Sequence, residues 1–157
     1  MIIKWKPLIV NLMISLGVGA FSALLTMNSM REVYAGLAKP PLSPPAWVFG
    51  VIWTILFLLM GISAYLVYTS DANGDRKRNA LLIYGIQLVF NLLWPVFFFD
   101  RQWYWFSFAW LIVLWFLILT MIVMFSNISR KAALLQIPYL LWVTFAGYLT
   151  AGVAMLN

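Results

Sequence analysis

Five stretches without a charged residue lie end to end in this chain, at residues 7–30, 40–70, 79–99, 102–129 and 132–157. They hold 24, 31, 21, 28 and 26 residues, and each reaches the roughly 20 apolar residues that carry a helix across about 30 Å of hydrocarbon. Barrel strands would instead appear as segments of ~10 residues alternating apolar with polar. The unbroken run Leu111 to Leu119 does not alternate. The pattern predicts an all-α membrane protein, a bundle of five transmembrane helices over about 7–28, 45–69, 79–99, 103–126 and 132–155, forming one domain over residues 1–157.

The second stretch opens Pro40, Pro41, Leu42, Ser43, Pro44, Pro45. Proline lacks the amide donor and clashes with the preceding turn, so the helix starts only near Pro45. Residues 29–44 then form a long loop, and loops of more than about 12–15 residues are usually functional or disordered. Tyr34, Leu37 and the two proline pairs make it a candidate stiff lid over one end of the bundle. The remaining connections are short and force antiparallel neighbours.

Composition narrows the picture further. The chain is 65% hydrophobic and 9% charged, which excludes a soluble globular domain. Its net charge of +6 is spread over interhelical loops, so it reads as topology rather than as a nucleic-acid surface. Alternating faces at each span puts Lys4, Lys6, Arg76, Lys77, Arg78, Arg130 and Lys131 on one side and Arg31, Lys39 and Arg101 on the other. That excess places the N-terminus in the cytoplasm and the C-terminus outside, in a multi-pass protein of the cell membrane. The first apolar run is much longer than a signal-peptide core, so it is read as an uncleaved helix.

Histidine and cysteine are both absent, which removes disulfides, thiolate chemistry and the usual zinc ligands. No metal site or cofactor is expected. No Asp, Glu, Lys or Arg falls inside a span, which argues against a pump or an ion-coupled exporter. The interior chemistry is aromatic and amide. In the third span Tyr84, Gln87, Asn91, Trp94 and Phe98 share one helical face; burying the amides unpaired costs a few kcal/mol, so that face points inward. Either the amides only hold helices together, or one of them bonds a ligand. Trp47, Gly50, Trp53, Phe57 and Met60 lie near one face of the second span, and Trp142, Ala146 and Leu149 near one face of the last. Core filling and interfacial belts are the ordinary roles of such tryptophans. The alternative is a shared aromatic cavity beneath the lid.

The run from Leu37 to Trp47, continuing through Trp53 to Met60 and Gly61, resembles the signature of the translocator protein family, also called tryptophan-rich sensory protein or peripheral benzodiazepine receptor. Gln87, Asn91, Trp94, Pro95, Phe97 to Phe99, Arg101, Gln102, Trp105, Pro138, Tyr139, Leu140, Trp142, Phe145 and Ala146 continue the match in order. The resemblance implies a five-helix bundle, often a homodimer, binding porphyrins such as protoporphyrin IX, sterol-like lipids and synthetic apolar ligands of the isoquinoline carboxamide or benzodiazepine type. The implied pocket takes Ala23 from the first span, Trp47, Phe49, Gly50, Ile52 and Trp53 from the second, and Phe90, Asn91 and Trp94 from the third. Trp105, Phe108 and Ile112 come from the fourth, and Trp142, Ala146 and Leu149 from the last. Tyr34, Phe57 and Phe145 extend the set.

Bacterial relatives are linked to light- and oxygen-dependent porphyrin breakdown, for which the resemblance assigns Trp53 and Trp142 as catalytic candidates. The sequence departs from the family at Thr150, where Asn is usual, and lacks the C-terminal cholesterol motif of animal members, which speaks against cholesterol handling. Haem would need axial ligands that a chain without His and Cys supplies only from Met or Tyr, whereas a metal-free porphyrin needs a flat aromatic slot. The competing functions are a porphyrin or lipid transporter and a signalling scaffold without chemistry.

Overall fold

The computed structural model describes residues 2–157. Among them five helical spans are long and apolar enough to cross a membrane, built from α1 (Trp5–Gly36), α2 (Ala46–Tyr68), α3 (Gly74–Pro95), α4 (Tyr104–Ser126), α5 (Arg130–Leu135) and α6 (Ile137–Leu156). The last two form one interrupted span, and no strand occurs among the described residues.

The first helix departs from expectation. It continues through Arg31 and Glu32 to Gly36, so the proposed loop over residues 29–44 shrinks to the stretch between Gly36 and Ala46. A change from apolar to charged side chains marks the edge of the hydrocarbon, not the end of a helix, and no proline follows until Pro40. At ~1.5 Å per residue, 32 residues make a rod of roughly 48 Å, well beyond the bilayer core. Met30, Val33, Tyr34 and Leu37 on the extra turns pack against Phe98, Phe99 and Val153. Lys39 Nζ then donates to the carbonyls of Tyr34 and Leu37 at 2.7 and 3.2 Å, a cation placed on the carbonyl end of the helix dipole.

The third span also starts early, at Gly74. The Asn73 side chain accepts from Asp75 N at 2.8 Å, and Asp75 sits in the first turn, where a negative charge is favoured. At its far end Pro95 interrupts the ladder and Val96–Asp100 form a π turn, a common consequence of a missing amide. The fifth span breaks at Gln136, two residues before Pro138, which restarts the helix in its first turn.

The half of the bundle away from the lid is solid. Met60, Ala64, Ile118, Met121 and Phe125 are fully buried there, and α1 crosses α2 closely where Gly61 meets Leu12 and Ser15. Nearer the middle the ring of Phe57 occupies the space a Cβ on Gly19 would need. Toward the lid the helices separate: α2 keeps close backbone contact with α1, α5 and α3 and hardly any with α6.

The remaining lid loop is tied to α6. Pro40 lies against Gly152, whose absent Cβ would sit 2.5 Å from the proline ring. Tyr148 Oη donates to Pro41 O at 2.7 Å, and the Asn157 side chain both donates to Ala38 O and accepts from Ala38 N. Tyr34 Oη donates to Pro44 O. A proline ring cannot rotate aside, so Gly152→Ala is expected to lift the loop from α6. Faster hydrogen exchange confined to residues 37–45 of the variant would show it, and unchanged protection there would refute the tie.

Candidate functional site

Where the helices diverge they enclose a cavity of about 500 Å³, within the size range of small-molecule sites. Each wall is set by helical phase. On the third span, Asn91, Trp94 and Pro95 of α3 and Phe98 of the π turn face inward; on α6, Trp142, Ala146, Leu149, Thr150 and Val153 do so. The α2 face presents Phe49, Gly50, Trp53, Thr54 and Phe57, and the α1 face Leu16, Gly19, Ala23, Thr26, Met30 and Tyr34. Lys39 and Ser43 from the lid close the end.

Most polar groups in these walls are already satisfied. Thr26 Oγ1 donates to Ser22 O at 2.9 Å, Thr54 Oγ1 to Gly50 O at 2.7 Å, Thr150 Oγ1 to Ala146 O at 2.7 Å and Ser43 Oγ to Pro40 O at 2.7 Å. Trp94 Nε1 donates to Ser107 O at 3.1 Å. The walls therefore present methyl groups and ring faces to a guest.

The floor carries a buried polar relay. Asn91 Nδ2 donates to Tyr139 Oη at 2.6 Å, and Tyr139 Oη donates to Gln87 Oε1 at 2.7 Å. Asn91 also lines the cavity, and its second amide N–H and its carbonyl oxygen bond no other described residue. Further donors line the cavity, among them the Trp53 indole N–H, which has no partner among the described residues. Trp142 Nε1 is buried with no partner, and Lys39 spends two of its three N–H bonds on helix carbonyls with its ammonium 4.6 Å from the Tyr34 ring centre. Lys39 is the one charged side chain among the lining residues. No cluster of metal-ligating side chains exists among the described residues.

The aromatic contacts join the walls. Trp53 packs edge-on to Tyr139 at 6.1 Å and beside Phe57 at 5.7 Å. Phe49 bridges Tyr34 at 5.4 Å and Trp142 at 5.9 Å. Trp94 stacks on Phe98 at 4.9 Å.

Of the residues expected at the site, Ala23, Tyr34, Phe49, Gly50, Trp53, Phe57, Asn91, Trp94, Trp142, Ala146 and Leu149 border this cavity. Trp47, Ile52, Phe90, Trp105, Phe108, Ile112 and Phe145 do not. Trp47 is 71% exposed at the start of α2. Phe90 stacks on Trp110 at 4.2 Å, on another face of α3. Ile52 and Phe145 turn into a groove between α2 and α6. The fourth span is rotated relative to expectation: Ser107, Leu111 and Leu114 are buried on its inner face while Trp105 and Ile112 are exposed and Phe108 packs on Trp105. Ser107, a small hydroxyl in an apolar span, was the sequence signal for that inner face, because a polar group is driven away from lipid. Met30 and Lys39 lie in the same expected loop as Tyr34 but lack the aromatic ring that marked Tyr34; Phe99 and Val153 carry no polar group to set them apart from ordinary core.

Comparison with known proteins follows the same lines. The family model described as TspO/MBR family matches residues 10–156. The chain is 36% identical to the tryptophan-rich protein TspO of Chlorobaculum tepidum, covering 90% of each chain, and 33% identical to that of Archaeoglobus fulgidus, covering 96% of each. It is 32% identical to the translocator protein of Bos taurus over 92% of this chain and 86% of the bovine one.

Proposed function

Because this chain belongs to the TspO/MBR family, we propose that it is a membrane receptor that takes metal-free porphyrins, protoporphyrin IX among them, and compact apolar ligands such as isoquinoline carboxamides into the cavity under the lid. The observation that carries this reading is the cavity's chemistry: aromatic rings from Phe49, Trp53, Trp94 and Trp142, the side-chain amide of Asn91, and a single cation, Lys39, at the lid end. A planar aromatic dianion matches that distribution, with its disc against the rings and a carboxylate at the ammonium. The excess of basic residues at the far end orients the lid to the outside. Light- and oxygen-dependent breakdown of the porphyrin, with Trp53 and Trp142 as participants, is part of the proposal, since both indoles border the cavity.

A carrier would need a second opening. Beneath the Gln87–Tyr139–Asn91 layer the fully buried Met60, Ile118, Met121 and Phe125 fill the bundle, which favours a receptor. The test is titration of the purified protein with protoporphyrin IX, followed by tryptophan fluorescence. Quenching is expected to saturate, and Lys39→Gln is expected to weaken binding about tenfold, the scale of one charge-assisted hydrogen bond, without affecting the dimethyl ester. Quenching that does not saturate, or that an unrelated tryptophan-rich membrane protein reproduces, would overturn the proposal.

A further inference from the structure

A second concavity lies beside the first. Ile52, Ile55 and Leu56 of α2 and Pro138, Leu141, Trp142 and Phe145 of α6 line an apolar groove of about 400 Å³. Its rim is lipid-facing, with Ile55 51% and Leu141 64% exposed. Trp142 belongs to both spaces. Its ring meets that of Phe49, a cavity residue, in an edge-to-face contact at 5.9 Å, and stacks on Phe145, a groove residue, at 5.5 Å with the planes 9° apart.

Three features make this indole a movable partition. Trp94, Trp110 and Trp115 are each anchored by an Nε1 hydrogen bond, whereas Trp142 Nε1 has none, so turning the ring breaks no bond. The backbones of α2 and α6 hardly touch along this seam; side chains alone close it. On α2 the adjacent residues Ile52 and Trp53 face the groove and the cavity respectively, so the two spaces lie on either side of a single residue's width of wall.

Resting on the receptor reading above, we propose that the cavity and the groove are two halves of one binding site, with the groove holding the apolar edge of a planar tetrapyrrole that overhangs the cavity once Trp142 turns aside. A cavity of about 500 Å³ is in the lower half of the ~300–1,000 Å³ common for ligand sites. A rigid disc of four pyrrole rings joined by methine bridges cannot fold to fit it as a compact ligand can. The polarity agrees: the carboxylate edge of protoporphyrin is drawn to Lys39 at the lid, while its methyl and vinyl edge matches a groove whose walls are aliphatic and aromatic. Trp142 thereby sets the size of ligand accepted.

The test fills the groove from its lipid side. Leu141 and Ile55 border the groove and not the cavity, so Leu141→Trp and Ile55→Trp change one half of the site from opposite walls. Protoporphyrin IX affinity is measured by Soret absorbance, and a radiolabelled isoquinoline carboxamide measures the cavity alone. Each variant is expected to weaken the porphyrin about tenfold, as follows from denying it on the order of 60 Å² of apolar contact, while the small ligand stays within about twofold of the parent. Unchanged porphyrin affinity in both variants would overturn the inference. Equal weakening of both ligands would also overturn it, since the effect would then lie in the cavity or the fold. A parent protein that binds neither ligand refutes the receptor reading itself, an outcome distinct from either.

Discussion

Trp53→Phe and Trp142→Phe are each expected to reduce light-driven loss of protoporphyrin absorbance to the rate of the free dye while leaving its affinity within about threefold of the parent, since phenylalanine keeps most of the aromatic contact. Both indoles border the cavity, with Trp53 held between Phe57 and Tyr139 and Trp142 between Phe49 and Phe145. What the substitution removes is the electron-rich indole. The measurement is absorbance over time under light and air, with an unrelated tryptophan-rich membrane protein as control, because porphyrins generate reactive oxygen unaided. A defined product formed by the parent and by neither variant would make the site a porphyrin-degrading one. Equal bleaching in all samples would remove the redox role and leave a receptor.

Gly61→Val is expected to produce the largest loss of stability. A Cβ on Gly61 would lie 2.7 Å from Ser15 Oγ, 2.9 Å from Leu12 Cδ2 and 3.0 Å from Leu12 Cα. The last of these is backbone, so relief requires the two helices to part along a crossing packed on both sides. Overpacking of this kind costs roughly 1–3 kcal/mol, or about 2–12 °C in Tm for a chain of this length. Helix propensity alone would give the opposite sign, because glycine is about 1 kcal/mol worse than alanine inside a helix. Gly85 separates the two effects. Nothing lies within 4 Å of a Cβ there, so Gly85→Ala should raise Tm slightly. Thermal unfolding in detergent checks the pair; a neutral or stabilising Gly61→Val would mean that the close α1–α2 crossing is not maintained.

The polar relay shows how far sequence reasoning reaches into the site. Gln87 and Asn91 were recognisable as inward-facing, because an amide in lipid must find a partner and the two stand four residues apart on one face. Their shared partner was not. Tyr139 lies 48 residues from Asn91, in a span where a tyrosine reads equally well as an interfacial belt residue. Only the placing of α6 beside α3 makes its hydroxyl the link between the two amides.

Helix ends fared similarly. Pro45 marked the start of α2 closely, because proline acts locally on the backbone. The end of α1 was misplaced by eight residues, because its last turns are stabilised by packing on Phe98, Phe99 and Val153, far away in sequence. The rotation of α4 has the same origin. In a span apolar nearly all round, the hydrophobic positions carry no directional signal beyond the mark of Ser107, and the phase is set by which neighbours fit.

What the sequence determined by itself is therefore the part governed by the solvent: five spans, their helical nature, and the inward face that Gln87 and Asn91 mark on the third span. Lipid imposes those choices residue by residue. What only the tertiary structure decided is the site's shape: the splaying of α2 from α6, the lid tied to α6 through Pro40 and Asn157, the lone cation at its mouth, and the single indole standing between cavity and groove. These depend on contacts between helices distant in sequence, in a medium where apolar faces gain little from choosing one another, so packing rather than hydrophobicity selects among them.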